Sequence, residues 1–294
     1  MQIKLKERHP ISVPSASGIE MFKDRYYVIG DDSQFLFILN SDRSLLRKVK
    51  LFEPEEIEKG RIPKKLKADL EAISVISIDR KDYLLVIGSG SKPAREKAFV
   101  INLNDPDDVM AYSLSSLYEV FRSDNSITGG EKLNIEGLAS DDSKLFLFQR
   151  GNIGGKNVMI EIATEDFLKV INGGKIPDYK LVQFNLPSIQ GIPSGFSGAT
   201  YMADSGLLIY TASVEDTENE IDDGKVMGSL VGIIDMGKDK SAKNVFLKQN
   251  GGFLPVKIES LTIHSKNREN EFILATVTDN DQGGSELILL DLYL

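Results

Sequence analysis

The chain contains no cysteine, no tryptophan and only two histidines among its 294 residues. Without cysteine it has no disulfides, no thiolate metal ligands and no thiol nucleophile. His9 and His264 belong to no pattern typical of a His-ligated metal or a Ser-His-Asp triad, so we interpret both as structural. Any metal site in this chain is therefore expected to be built from oxygen ligands.

Long apolar runs and an excess of basic charge are also missing. No run approaches the length that spans a bilayer, and the first ten residues lack the apolar stretch of a signal peptide. We therefore expect a cytoplasmic protein, unless a leader has been removed and replaced by a starting Met. The formal charge is −9 at pH 7, so no basic excess is available to neutralise phosphates. We expect neither nucleic acid nor a membrane as partner, and the acidic balance suits cation binding.

One motif recurs five times along the chain. In each copy an oxygen-bearing residue precedes a small residue and then a stretch that alternates as a strand does. The oxygen-bearing residues are Ser17, Glu71, Glu136, Ser197 and Glu259. Their spacings are 54, 65, 61 and 62, and counting from the last through the C-terminus to the first gives 52. Five units of about 59 residues thus use the whole chain, which predicts a single domain over residues 1–294.

The units predict an all-β fold. Each of the first four contains four strand-like segments separated by turn residues, whereas the fifth contains only three. The alternating segment Gln2–Arg8 is left over at the other end of the chain, and we predict that it pairs as the outermost strand of the fifth unit. The result is a closed five-bladed β-propeller of four-stranded antiparallel blades.

Three insertions interrupt the period. Residues 53–67 are charged and are interpreted as a surface loop, residues 115–131 have helical spacing between Leu117 and Phe121, and residues 215–225 are strongly acidic. The sequence leaves open whether the acidic segment covers one face of the propeller.

The propeller geometry predicts a metal site. The five motif residues would point into the central channel at one level, and three of them are carboxylates. Three like charges in a partly desolvated channel repel by roughly several kcal/mol per pair, so a cation or proton uptake has to offset them. Oxygen ligands from separate blades suit Ca²⁺ better than octahedral Mg²⁺. The alternative is that these are solvated strand-start residues that happen to align.

Polar residues at the ends of the second strands are expected on the same face of the ring. Asp31 or Asp32 would position or deprotonate a water, and the expected contacts to a small anionic substrate are Lys92, Arg95, Gln149, Arg150, Glu215 and Asp279. A metal in the channel would polarise a phosphoryl or carbonyl oxygen. Small polar residues at strand ends also suit turns regardless of function.

The order Ser-Glu-Glu-Ser-Glu at the motif positions resembles the central calcium site of the calcium-activated nucleotidases, the soluble apyrases with a five-bladed propeller. Local likenesses accompany it: Gly30-Asp31-Asp32 resembles that family's strand ending in Asp-Asp, Gly195-Phe196-Ser197 its Gly-Phe-Ser-Ser, and Lys257-Ile258-Glu259 its Lys-Tyr-Glu. The resemblance implies Ca²⁺ ligation by the five motif residues. The chain departs from the family after Asp32, near Ser89–Pro93, and at Gln149-Arg150, where the family has paired arginines. Phytase-like esterase and lactonase propellers are more distantly similar.

The leading hypothesis is a calcium-centred hydrolase acting on phosphate esters or anhydrides, nucleotide-like compounds among them. The rival hypothesis is a non-catalytic propeller that a metal stabilises and whose rim binds a ligand or a protein partner. In both cases we expect a monomer.

Overall fold

The computed structural model describes residues 1–141, 143–151, 154–216, 224–279 and 283–294. Five four-stranded antiparallel sheets make up most of it, together with two short hairpins. In chain order the strands are β1 Gln2–Ile11, β2 Ala16–Phe22, β3 Arg25–Gly30, β4 Phe35–Asn40, β5 Leu45–Lys50, β6 Leu70–Ile78, β7 Lys81–Gly88, β8 Lys97–Asn102, β9 Val109–Ser113, β10 Ile135–Ser140, β11 Lys144–Gln149, β12 Asn157–Ala163, β13 Lys180–Phe184, β14 Ser188–Ile189, β15 Ile192–Pro193, β16 Gly195–Met202, β17 Leu207–Asp216, β18 Lys225–Asp235, β19 Ala242–Phe246, β20 Lys248–Gln249, β21 Gly252–Phe253, β22 Ile258–Arg268, β23 Glu271–Asp279 and β24 Ser285–Tyr293.

The sheets are the blades of a five-bladed propeller, which confirms the predicted fold class. Blades 1 to 4 are β2–β5, β6–β9, β10–β13 and β16–β19, each in simple sequential order. Their innermost strands, together with β22, contact one another in a closed cycle around a central channel. Blade 5 has the order β1-β24-β23-β22, in which Gln2 lies opposite Tyr293 and Ile11 opposite Ser285. The N-terminal strand therefore completes the last blade, as predicted.

The hydrophobic core is divided into five clusters, one between each pair of neighbouring blades. Between blades 3 and 4, for example, the ring of Phe196 meets the rings of Phe148 and Tyr210 edge-on, each with a centroid separation of 5.0 Å. The middle strands of a blade are covered on both sides, so they are apolar at consecutive positions rather than alternating. Burial of each such aromatic side chain contributes roughly 1.5–3 kcal/mol.

Every innermost strand carries a β-bulge near its start, at its second residue or, in β16, at its third. The bulged residues, each without a partner opposite, are the five predicted motif residues, Ser17, Glu71, Glu136, Ser197 and Glu259. The small residue that follows each bulge lies against the neighbouring innermost strand: a Cβ on Gly198 would be 2.6 Å from the Cα of Ser260. The motif thus encodes a bulge that redirects one side chain, and a small residue that lets two blades approach.

Helices occupy the connections between blades and strands. Helix α1 (Ser115–Ser123) and α2 (Asn125–Thr128) lie in the predicted helical insertion, and Leu117, Tyr118 and Phe121 pack into the core between blades 2 and 3. Helix α3 (Thr164–Ile171) was not predicted from the sequence, and a 3-10 turn spans Pro93–Arg95. In the part of the chain that the structure describes, none of the helices has the length and apolarity of a membrane span. Most of the acidic insertion, residues 217–223, lies outside the described residues.

Candidate functional site

A cavity of about 720 Å³ opens at the channel end where the innermost strands begin. Nine of the thirteen predicted site residues line it: Ser17, Asp31, Asp32, Glu71, Lys92, Arg95, Glu136, Glu259 and Asp279. The other four, Gln149, Arg150, Ser197 and Glu215, are not among the described lining residues. The structure therefore brings most of the predicted residues to one place, on the side of blades 1, 2, 3 and 5.

The cavity contains a second ring of residues that sequence reasoning missed. Each member precedes a bulged residue by two positions, and four of the five line the cavity: Ser15, Asp69, Asn134 and Lys257. The fifth is Gly195, where a Cβ would lie 2.7 Å from Cγ of Arg150. The four lining residues directly precede the first residue of an innermost strand, so the five-fold repeat, read two residues earlier, marks the positions of this ring.

On the side of blades 1 and 2, lysine and arginine bridge the carboxylates. The ammonium of Lys67 contacts the carboxylate of Asp31 and lies 2.7 Å from Oδ1 of Asp69. Arg95 donates from Nη1 to Oδ2 of Asp69 at 2.6 Å, and Arg61 pairs with Asp32. Lys67 and Arg61 come from the insertion after blade 1, so this insertion supplies part of the site rather than acting as a plain surface loop.

On the side of blades 3, 4 and 5 a second ion-pair network is more enclosed. Nζ of Lys257 lies 3.1 Å from Oε1 of both Glu215 and Glu259. Arg150 reaches Oε1 of Glu215 at 3.2 Å and Oε2 of Glu136 at 3.7 Å. These pairs join three blades across the channel, and they occupy the guanidinium of Arg150 with protein carboxylates.

Burial and mutual repulsion raise the pKa of the three bulge glutamates. For Glu71 burial is the largest cause, followed by repulsion from Glu136, and its pKa lies well above the ordinary value. Burial also raises the pKa of Glu136, although Arg150 opposes the shift. The pKa of Glu259 is raised to about 8 by burial, against the attraction of Lys257. These carboxyls resist ionisation even though Lys257 lies beside Glu259 and Arg150 beside Glu136.

Two other carboxyls shift in the opposite direction. Burial opposes the ionisation of Asp69, but Lys67 and Arg95 outweigh it and lower its pKa. Glu215 behaves similarly: Lys257 and Arg150 outweigh burial and lower its pKa to about 2. Asp31, although it contacts Lys67, has a raised pKa because it is buried close to Asp32 and Asp69.

We call the charged side chains of the two ion-pair networks, together with Glu71, the hub. In the hub, carboxyl groups outnumber cationic side chains. If all were ionised, seven carboxylates would face five cations, which leaves an excess of two negative charges. The carboxylates are Asp31, Asp32, Asp69, Glu71, Glu136, Glu215 and Glu259, and the cations are Arg61, Lys67, Arg95, Arg150 and Lys257. One divalent cation, or two protons, would balance that excess.

The carboxylates that come closest together lie to one side of the predicted five-residue set. One oxygen each from Asp31, Asp69 and Glu71 can be chosen so that all three lie within 4.8 Å of one another. Only Glu71 of this cluster is a motif residue. The closest group of carboxylates therefore lies between blades 1 and 2, where Lys67 bridges two of its three members.

The two motif serines link neighbouring blades. Ser17 donates its hydroxyl hydrogen to the carbonyl of Leu70, and Ser197 donates at 2.6 Å to the carbonyl of Ile258. Leu70 and Ile258 directly precede Glu71 and Glu259, so the two contacts are equivalent in the ring. Both serines position the backbone beside a glutamate, and Ser197 is fully buried.

Gln149 is fixed by backbone contacts. Its Oε1 accepts from the amide of Asn134 at 2.7 Å, while its Nε2 donates to the carbonyls of Lys132 and Arg150. Asn134 in turn donates to Oε1 of Glu136 at 2.6 Å. Gln149 thus orients the loop that carries Asn134 beside the glutamate.

A family model described as a family of unknown function (DUF6929) matches residues 12–292. The chain belongs to this family. No curated protein matches the sequence.

Solved structures share the fold of this DUF6929 member at low sequence identity. Glutaminyl cyclase from Myxococcus xanthus is 11% identical with a TM-score of 0.51, over 99% of this chain and 97% of that chain. An α-L-arabinanase from Cellvibrio cellulosa complexed with arabinohexaose is 12% identical with a TM-score of 0.52, over 97% and 93%. Identities this low show the fold alone. Neither structure is a nucleotidase, so the resemblance to the soluble apyrases remains a prediction about the site.

Proposed function

We propose that this chain is a hydrolase-type propeller whose hub binds one hard divalent cation, Ca²⁺ in preference to Mg²⁺, and that it acts on phosphate esters or anhydrides. The observation that carries the proposal is the cluster of Asp31, Asp69 and Glu71, with one oxygen of each within 4.8 Å of the others, in a hub of seven carboxyl groups and five cationic side chains. Calcium is favoured over magnesium because oxygens from separate blades suit its longer and more flexible coordination.

The chemistry of the donor set fits such an ion. All three residues offer carboxylate oxygens, the ligands that hard cations prefer. Among the described residues, Oδ1 of Asp31 and Oδ1 of Asp32 are buried without a hydrogen-bond partner, and a buried acceptor without a partner is costly. The ammonium of Lys67 already bridges Asp31 and Asp69, so a cation ligated by both would compete with it for these carboxylates.

The charged residues of the cavity can then be given roles in the proposed reaction. A bound divalent cation supplies charge stabilisation to a phosphoryl oxygen. Asp31 lines the cavity as one of the three clustered carboxylates, and it or Asp32 positions or deprotonates a water there. Arg61 and the hydroxyl of Ser15 hold the carboxylate of Asp32 in place on the blade 1 side of the cavity. Lys92, which is exposed where it lines the cavity, contacts the anionic group, whereas Arg95 is held by Asp69 and Arg150 by Glu215 and Glu136.

The rival function, a non-catalytic propeller that binds a ligand, is supported by the internal ion pairs. Lys67, Lys257 and Arg150 already bridge five of the seven hub carboxylates, as a structural charge network would. In that case calcium would stabilise the fold without any turnover.

The two functions are separated by measuring calcium binding and phosphate release on the same protein. Calorimetry with Ca²⁺ should detect one site, and Asp69→Asn should weaken it at least tenfold, whereas Asp178→Asn, an exposed residue outside the cavity, should leave it unchanged. Phosphate release from a panel of esters and anhydrides should require Ca²⁺ and be lost in chelator and in Asp31→Asn. Calcium binding with no release across the panel would favour the non-catalytic function, and no calcium binding would refute the cation site.

A further inference from the structure

The walls of the cavity differ in charge from its floor. The exposed side chains that line it include four lysines, Lys64, Lys65, Lys92 and Lys132, against one exposed carboxylate, Glu58. The floor, in contrast, holds the hub carboxylates. A ligand seated in the cavity therefore meets cationic groups around its sides and an acidic surface below.

Aromatic side chains are missing from the described lining of this cavity. Its apolar members are Ala16, Ile62 and Pro63, and the first two are buried. Tyr118 comes close from below, but its ring packs beneath Gly90 and its hydroxyl donates to the carbonyl of Gly88 at 2.8 Å. The thirteen residues outside the described ranges contain no phenylalanine, tyrosine or tryptophan, so they cannot add one.

This lining constrains the ligand. Stacking of a nucleobase on an aromatic side chain strengthens binding by roughly fivefold to 150-fold, and none of the described lining residues provides that surface. Four lysines around one opening favour a ligand with more than one negative group. An acidic floor repels such a ligand until a cation neutralises it, so binding of the anion and of calcium should depend on each other.

We infer that the ligand of this cavity is a compact, multiply phosphorylated compound without an aromatic base, and that a nucleoside attached to the same phosphates adds nothing to its binding. The inference rests on the proposed function, because the phosphates need the hub cation beneath them. Lys65 and Lys92 supply the exposed charge on the rim, and the nucleoside of a nucleotide would extend into solvent.

Inorganic pyrophosphate and ADP test this inference, because both carry a diphosphate and only ADP carries a base. Each is titrated into the full chain with Ca²⁺ and with chelator, and Ca²⁺ is titrated alone. We expect the two dissociation constants to agree within about threefold, because no stacking surface favours ADP, and both ligands to bind only with Ca²⁺ present. Lys92→Ala should weaken both by about threefold to tenfold and reduce their salt dependence, whereas Lys180→Ala, exposed on blade 3 away from the cavity, should change neither.

The outcomes distinguish this inference from the proposed function. If calcium binds but ADP binds at least tenfold more tightly than pyrophosphate, the inference fails while the cation site stands. If calcium binds and neither phosphate compound does, the inference fails as well. If calcium itself does not bind, the proposed function fails first and this inference falls with it.

Discussion

Replacement of Glu259 by glutamine should remove one contribution to the stability of the folded chain, a contribution that decreases as the pH rises. The carboxyl of Glu259 has its pKa raised from 4.5 to about 8 in the folded chain, chiefly by burial. Between these pH values the unfolded chain binds fewer protons than the folded chain, so this group's contribution is fully present below pH 4.5 and is lost as the pH rises to about 8. The shift corresponds to about 5 kcal/mol, an upper bound, which is comparable with the whole stability of many domains.

Glutamine cannot ionise, and Lys257 keeps Glu215 as a partner at 3.1 Å in the variant. The free energy of unfolding of Glu259→Gln minus that of the wild type should therefore rise with pH, by up to about 3.5 kcal/mol between pH 5 and pH 8. Coupling to Glu136 reduces this figure, because removing one charge relieves its neighbour.

Urea unfolding in chelator, followed by circular dichroism and tyrosine fluorescence, measures this difference, since the chain has nine tyrosines and no tryptophan. Other titrating groups, such as His264 with its lowered pKa, occur in both proteins, so their contributions largely cancel in the difference between the two free energies of unfolding. Parallel stability curves from pH 5 to pH 8 would refute the reasoning, because they would mean that Glu259 ionises at its ordinary pKa and that the hub is not desolvated.

Three further predictions concern the hub and the blade junctions. Saturating Ca²⁺ should raise Tm by several degrees at pH 8 and hardly at pH 5, because protonated carboxyls bind a cation poorly; thermal melts with and without chelator check this. Gly198→Ala should cost roughly 1–3 kcal/mol, since its Cβ would lie 2.6 Å from the Cα of Ser260, while the exposed Gly252→Ala should stay within about 0.5 kcal/mol in the same urea titrations. Ser197→Ala should cost about 1 kcal/mol through its lost bond to the carbonyl of Ile258, and a neutral result would show that this bond contributes little.

The fold could be predicted because its repeat is explicit. A bulged polar residue followed by a small one is a local requirement of every blade junction, so the motif recurs wherever an innermost strand begins. The closing strand could be predicted from the count of strands, because Gln2–Arg8 was spare and the fifth unit lacked one. The amphipathic stretch of α3 is only eight residues long, and its helical signal is weak beside the strands around it.

The candidate site could be predicted only where it follows that repeat. The ring that includes Asp69 and Lys257 shares the repeat but differs in residue type from blade to blade, so no common chemistry marks it in the sequence. Lys67 and Arg61 come from an insertion with no counterpart in the other blades, and their contacts with Asp31 and Asp32 depend on how that insertion folds back. Pairing of Arg150 with Glu215 is likewise a long-range contact that the spacing of either residue does not indicate.

In blade 5 the outermost strand, β1, pairs with β24. The ribosome therefore synthesises this strand before the other four blades, and it synthesises β22, β23 and β24 after them. During synthesis β1 has to wait, with an unpaired edge, until β24 has left the ribosome. Completion of the last blade is then a late, long-range event, and a chain that lacks Ser285–Tyr293 would have no strand to join β1 to β23.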